Sequence, residues 1–163
     1  MIEIDPKMFL NKMADILEEE SLSQYSELLR QGSIQPDDLI SLREQLRKSK
    51  IEIDHEFDVI YFLLRETNGK TVKKLIYPDI IVHERSRSNN FVVIEVKKSN
   101  NIGRLSAAYD LVKLFTLITD PSYGYRHGYF INIPVLRDFD RHKKIIFTPV
   151  RLHQQIHVVE FSS

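Results

Sequence analysis

The stretch PDIIVHERSRSNNFVVIEVKK, residues 78–98, contains the features that decide the fold. Two short runs rich in β-branched residues, 79–84 and 91–98, are separated by a polar, turn-forming segment. This pattern predicts two antiparallel strands joined as a hairpin. In the second run apolar and charged residues alternate, so Glu95 and Lys97 should project together from one face of the strand.

The charged residues of these two strands predict a metal-dependent site. Asp79 begins the first strand, and a hairpin would bring its carboxylate within reach of an ion that Glu95 also contacts. A carboxylate and an ammonium next to Val and Ile are costly to desolvate unless a metal or a substrate accompanies them. Two convergent carboxylates without a His or Cys partner suit Mg²⁺ or Mn²⁺ better than zinc. Such a site serves phosphoryl chemistry, in which Lys97 stabilises developing negative charge or positions the attacking water.

Helical patterns precede and follow the hairpin. Residues 6–50 predict two or three short helices with a break between Gly32 and Pro36. A further helix is predicted over 53–67, ended by Asn68-Gly69, and another over 105–119. The buried stripe of the 53–67 helix should consist of Ile53, Phe57, Ile60, Tyr61 and Leu64.

Further strands are predicted over 123–133, near 145–150 and near 156–161. The order of helices and strands predicts an α/β (α+β) fold, in which helices flank a mixed β-sheet. We divide the chain into a helical N-terminal extension, residues 1–50, and a core, residues 51–163.

Composition restricts the classes of protein to which this chain can belong. Its 163 residues are 42% hydrophobic and 28% charged, which is typical of one globular domain. The absence of cysteine excludes disulfides and cysteine-ligated metals. The N-terminal residues do not resemble a signal peptide, and no window approaches the roughly 20 apolar residues of a membrane span, so we expect no membrane association and a cytoplasmic location.

The net charge of zero is unevenly distributed. Residues 1–66 contain 8 Lys/Arg and 15 Asp/Glu, whereas residues 67–163 contain 15 Lys/Arg and 8 Asp/Glu. Phosphate contacts require local positive potential, so a nucleic acid should bind the C-terminal portion. An uneven scatter of charge without function explains the same counts equally well.

The sequence resembles the PD-(D/E)xK nuclease superfamily, which includes restriction endonucleases and Holliday-junction resolvases. The resemblance rests on Pro78-Asp79, a spacer, and then Glu95-Val96-Lys97, and it covers roughly residues 51–133. It implies a restriction-endonuclease-like core, with the motif on two strands of a small mixed sheet between helices. It also implies that Asp79 and Glu95 bind the metal, that Val96 contributes its backbone carbonyl, and that Lys97 serves the nucleophilic water.

The resemblance suggests further site residues on the neighbouring helices. Many members of the superfamily add a glutamate from the helix before the hairpin, and Glu56 is the candidate because it tilts toward the core side of that helix. Glu56 can instead be an acid that stabilises the N-terminus of its own helix. Polar residues near the next helix tend to lie close to the substrate, which suggests nucleic-acid contacts or ordinary solvated positions for Lys98, Arg104, Tyr109 and Lys113.

These features predict a Mg²⁺- or Mn²⁺-dependent endonuclease that hydrolyses phosphodiester bonds of nucleic acid, and we expect the nucleic acid to be DNA. A catalytically inactive nuclease-like fold that binds nucleic acid or a protein is the alternative, and in it the N-terminal helices would bind a partner. A homodimer is also compatible with so small a core. In a third, weaker alternative, Asp79 and Lys97 form only a buried salt bridge in a structural protein.

Overall fold

The computed structural model describes residues 1–85, 89–98, 104–133 and 144–162. These residues form five helices, a five-stranded mixed sheet and a two-stranded sheet, so the predicted mixed α/β class is confirmed. In chain order the elements are β1 (Ile2–Ile4), α1 (Pro6–Glu19), α2 (Ser23–Gln31), α3 (Pro36–Lys48), α4 (Asp54–Thr67), β2 (Val72–Lys74), β3 (Ile80–Glu84), β4 (Asn89–Lys98), α5 (Arg104–Thr119), β5 (His127–Ile133), β6 (Lys144–Val150) and β7 (His153–Ser162).

The chain divides into two compact units. One is Glu3–Lys73, and the other consists of Lys74–Ser163 together with Met1–Ile2. The boundary between the units falls between Lys73 and Lys74, within β2, whereas the division drawn from the sequence falls between residues 50 and 51. The assignment of residues 51–163 to a nuclease-like core stays a prediction.

The helices of the unit Glu3–Lys73 begin and end where capping rules place them. Asp5 accepts a hydrogen bond from the Lys7 N–H at 3.0 Å at the start of α1. Gly32 closes α2 with a φ of 65°, a left-handed conformation that glycine adopts without strain. The break predicted between Gly32 and Pro36 is therefore confirmed. Within this unit, α1 packs against both α2 and α4.

The stripe predicted for α4 is only partly right. Phe57 and Ile60 are buried as expected, but Tyr61 is 40% exposed and Leu64 is half-buried. The buried residues of α4 cover an arc of the helix surface that is wider than the single predicted stripe. At about 100° per residue, the centre of this buried arc lies near Glu56. The additional buried apolar residues are Val59, Phe62 and Leu63.

Two short strands, β1 and β2, were not expected from the sequence. They form a two-stranded sheet of three residues each. Strands this short carry too few alternating residues to give a recognisable pattern.

The strand predicted over 123–133 begins later than expected, at His127. The N–H groups of Tyr123 and Gly124 instead donate to the Asp120 carbonyl in a turn that follows α5. Gly124 has a φ of 54°, so this turn uses the left-handed backbone conformation that glycine tolerates best. The aromatic residues of the segment suggested a strand, but local turn geometry decides the structure there.

The five-stranded sheet has the order β3-β4-β5-β7-β6. The predicted hairpin is confirmed, because β3 and β4 pair antiparallel with Ile80 opposite Ile94. β4 pairs parallel with β5, and β5 pairs parallel with β7, whereas β6 and β7 are antiparallel. A parallel pair needs a crossover connection, which α5 provides between β4 and β5.

Helix α5 packs on the face of the sheet that carries Val93 and Glu95, both of which are buried. On the neighbouring strand Gly128 lies beside Val93 and permits this close approach. A Cβ atom at residue 128 would lie 2.8 Å from Ile118 Cδ1 and 3.5 Å from Leu114 Cβ. The absence of a side chain at this position therefore leaves room for the Ile118 side chain of α5.

Within the described ranges no helix is long and apolar enough to cross a membrane.

We expect Gly128→Ala to lower the free energy of unfolding by about 1 kcal/mol, at the low end of the cost of overpacking, because the added methyl group overlaps only the terminal Cδ1 of Ile118. Urea unfolding measures the effect. Ile118→Val removes the overlapping Cδ1 atom and alone costs about 0.5–1.5 kcal/mol. The double variant should be more stable than the sum of the two single effects implies, and strict additivity would contradict the proposed overlap.

Candidate functional site

Asp79 lies immediately before β3, and a hydrogen bond connects its side chain to β4. Its Oδ2 accepts a hydrogen bond from the Val96 N–H at 2.7 Å. In register, Asp79 is one residue beyond the pair of Ile80 and Ile94, so it lies opposite Glu95 on the same face of the hairpin. The carboxylate is exposed, which places it at the open side of the site.

Glu95 is the buried carboxylate of the site, with a relative exposure of 1%. Its Oε2 accepts a hydrogen bond from Lys113 Nζ at 2.6 Å. Its Oε1 is also buried and has no hydrogen-bond partner among the described residues. A buried acceptor without a partner is unusual and costly, so it marks a position where a ligand can be bound.

Helix α5 contributes Asp110 and Lys113 to the site. These residues are three apart on the helix, and Lys113 Nζ lies 2.8 Å from Asp110 Oδ1. The other carboxylate oxygen, Asp110 Oδ2, lies 3.0 Å from Lys97 Nζ, at ion-pair distance but without hydrogen-bond geometry. Glu95, Lys113, Asp110 and Lys97 therefore alternate in charge along one continuous network.

Burial dominates the electrostatics of this network. Desolvation raises the pKa of Glu95 to about 7, although the hydrogen bond from Lys113 lowers it, and the charges of Asp110 and Asp79 add to the rise. Burial alone would lower the pKa of Lys113, but its hydrogen bonds to Asp110 and Glu95 outweigh that effect and raise it. Near neutral pH, Glu95 is accordingly poised between its protonated and ionised forms.

The residues present fit a hard divalent cation. Glu95 and Asp79 each have one oxygen held by the protein, through Lys113 and the Val96 N–H respectively. The second oxygen of Glu95 is unpaired, and no hydrogen bond to the second oxygen of Asp79 is formed by the described residues. Oxygen ligands of this kind suit Mg²⁺ or Mn²⁺. However, no group of three or more His, Asp or Glu side chains arranged to hold a metal occurs in the described part of the chain.

Glu56 was suggested from the sequence as a further metal ligand. Glu56 lies on α4, in the unit Glu3–Lys73, and is buried at 3% exposure, so the expected tilt toward the core side is confirmed. It also lies in the first turn of α4, where an acid stabilises the helix. Its participation in the metal site stays a prediction.

The candidate nucleic-acid contacts lie in different environments. Lys98 is exposed at the end of β4, and the ring of Tyr109 lies beneath the ammonium of Lys74 at 5.1 Å and that of Lys113 at 5.4 Å. Lys113 is buried, and its ammonium contacts carboxylates rather than solvent. Arg104 begins α5, and its side chain lies outside the described residues.

The suggestion that Asp79 and Lys97 form a buried salt bridge is wrong. Asp79 is exposed and bonds to the backbone of Val96, whereas Lys97 pairs with Asp110. The Lys97 side chain is 35% exposed, whereas the side chain of its partner Asp110 is 2% exposed.

Asp110 was not identified from the sequence, although the sequence contains a signal for it. Asp110 and Lys113 are the only charged residues in the otherwise apolar and neutral segment 105–119. A helix that is apolar around most of its circumference is buried, so charged residues within it require partners. Asn132 was also missed: it lies beside Lys97 on β5, and no described residue forms a hydrogen bond to its buried Oδ1.

No family model matches this chain, and neither does any curated protein or solved structure.

We expect Glu95→Gln to change how stability depends on pH. Because the native pKa of about 7 lies above the ordinary 4.5, the native state binds this proton more tightly. The contribution of Glu95 to folding is therefore fully present below pH 4.5 and is lost as the pH rises toward 7. The stability of the wild type relative to Glu95→Gln should fall over this interval by up to about 3 kcal/mol.

Urea unfolding at stepwise pH, with a chelator present, measures this difference. Glu160→Gln, which alters an exposed carboxylate on β7, serves as the matched control. If the difference in free energy of unfolding between the wild type and Glu95→Gln stays constant with pH, burial does not raise the pKa of Glu95.

Proposed function

We propose that this protein is a metal-dependent nuclease that hydrolyses phosphodiester bonds of nucleic acid, with DNA as its substrate. One observation carries the proposal: the buried carboxylate of Glu95 has one oxygen without a hydrogen bond from any described residue, opposite Asp79 and two residues from Lys97. A protein that used Glu95 only for stability would gain by pairing both oxygens or by replacing the residue with an apolar one.

In this proposal Asp79 and Glu95 hold Mg²⁺ or Mn²⁺, with the backbone carbonyl of Val96 as a further ligand. The ion, when bound, supplies positive charge opposite the phosphate and makes water more acidic. The Val96 N–H orients Asp79, and Lys113 orients Glu95, so neither carboxylate has to be ordered when the substrate binds. The ammonium of Lys97 faces the developing negative charge or positions the attacking water.

The surrounding elements support a restriction-endonuclease-like core. A hairpin carries the motif, α5 follows it, and β5 then pairs parallel with the motif strand. This is the order of elements that the resemblance to the PD-(D/E)xK superfamily implies. We include Glu56 as a supporting residue of the site on the same basis.

The charge distribution supports nucleic acid as the substrate. Residues 67–163 contain 15 Lys/Arg and 8 Asp/Glu, and the motif lies in this part of the chain. Lys98, Arg104 and Tyr109 are the residues that we assign to substrate contacts, because they flank the motif strand or lie on the helix that follows it. Lysine and arginine bind phosphate, and an aromatic ring can stack on an unpaired base.

A nuclease-like protein that binds without cutting is the second candidate. The ammonium of Lys113 already compensates Glu95, and no cluster of three acids is present among the described residues. A site whose charges balance without a metal can persist after activity is lost. In this case a nucleic acid, a partner protein at the N-terminal helices or a second copy of the chain would be bound without Mg²⁺ or Mn²⁺.

We expect Asp79→Asn, Glu95→Gln and Lys97→Met each to reduce metal-dependent cleavage by about 100-fold or more, because each removes a charge at the reacting centre. Plasmid DNA, single-stranded DNA and RNA are incubated with Mg²⁺, Mn²⁺ or EDTA and resolved on gels. Glu160→Gln and Lys144→Met are matched controls on strands β7 and β6 and should cleave at the wild-type rate.

Isothermal titration with Mn²⁺ separates metal binding from chemistry. Asp79→Asn and Glu95→Gln should weaken Mn²⁺ binding by about tenfold or more, because each removes an anionic ligand. Lys97→Met should bind Mn²⁺ at least as tightly as the wild type. Metal-dependent cleavage that persists in all three site variants would refute the proposal, and binding of nucleic acid in EDTA without cleavage would establish the second candidate.

A further inference from the structure

Asp110 and Lys113 are two charged residues buried in a helix that otherwise offers the sheet apolar and small polar side chains. Their own ion pair, at 2.8 Å, would neutralise both charges without any other partner. Each residue nevertheless reaches across to β4, Lys113 to Glu95 and Asp110 to Lys97. A pair with a purely structural role within α5 would not need to engage the two residues of β4 that carry the chemistry.

The contact between Asp110 and Lys97 restrains a flexible side chain. Lysine has four rotatable side-chain bonds, and the Lys97 side chain is 35% exposed, so it would sample many rotamers if nothing held its ammonium. The Asp110 side chain, in contrast, is 2% exposed, and its Oδ1 is held by an ion pair with Lys113. An anchored carboxylate 3.0 Å from the ammonium therefore confines Lys97 to the face of β4 that Glu95 shares.

We propose that Asp110 is the positioning residue of Lys97, and that Lys113 anchors Asp110 while it orients Glu95. This inference rests on the proposed function, since it assigns Lys97 a part in the reaction. Asp110 itself touches neither substrate nor metal in this proposal and acts only through Lys97. The inference adds a residue to the site that the motif Asp79, Glu95 and Lys97 does not contain.

Nuclear magnetic resonance of the lysine ammonium groups tests the contact without relying on activity. Ammonium protons held by a carboxylate exchange slowly with water and give observable signals, whereas those of free lysines exchange too fast. We expect protected signals for Lys97 and Lys113 in the wild type, assigned through Lys97→Met and Lys113→Met. Asp110→Asn should abolish the Lys97 signal, and absence of that signal in the wild type would overturn the inference even if Asp110→Asn does not fold.

Cleavage kinetics test the consequence. Asp110→Asn should lower kcat by about 100-fold, because a displaced catalytic group loses its alignment, and should leave KM within about threefold. In a Lys97→Ala background, Asp110→Asn should cause no further loss. Thr116→Val is the matched control, since Thr116 is buried on the same helix, six residues after Asp110, and its hydroxyl donates a hydrogen bond to the Val112 carbonyl at 2.8 Å.

The outcomes distinguish this inference from the proposed function. If the wild type cleaves no nucleic acid, the proposed function fails, while the ammonium signals still report whether Asp110 holds Lys97. If the wild type cleaves and Asp110→Asn cleaves equally well, the positioning role is refuted. An equal loss from Asp110→Asn with and without Lys97 would also refute it, because Asp110 would then act independently of Lys97.

Discussion

A carboxylate buried between a sheet and a helix governs the arrangement of this site. Glu95 is removed from water on β4, and a buried charge is tolerated only when a partner compensates it. Lys113 provides that partner, and its ammonium also contacts a second buried carboxylate, Asp110. The other carboxylate oxygen of Asp110, Oδ2, forms an ion pair with Lys97. The four charges of this network balance, while Glu95 Oε1 and Asp110 Oδ2 have no hydrogen-bond partner among the described residues.

The fold makes this network possible through two features of the sheet. The hairpin of β3 and β4 sets Asp79 opposite Glu95, and the hydrogen bond to the Val96 N–H holds the Asp79 carboxylate there. Gly128 on β5 leaves room for α5 to approach, and Leu114, next to Lys113, is among the residues that a side chain at 128 would meet. A Cβ atom there would overlap the end of the Ile118 side chain, on the same helix that carries Asp110 and Lys113. The close packing against Gly128 and the network of charges therefore involve the same helix.

Prediction from the sequence succeeded where a pattern extended over many residues. The hairpin strands, α4 and α5 were placed within about two residues, because alternation and helical spacing reflect burial directly. The sequence does not predict β1 and β2, which are only three residues long. It also predicts a strand from Tyr123 to Arg126, where a turn at Gly124 overrides the strand preference of the aromatic residues. The stripe on α4 was placed off-centre because Tyr61 and Leu64 lie at the edge of the buried arc rather than within it.

The sequence by itself determined that Glu95 and Lys97 share a face of β4 and that a hairpin brings Asp79 toward them, because strand geometry fixes both relations locally. Only the tertiary structure decided which charges pair. Lys113 is 18 residues from Glu95 in the chain, and Lys97 binds Asp110 rather than Asp79. Those pairings depend on the rotation of α5 about its axis and on its distance from β4, which packing determines and local periodicity does not encode.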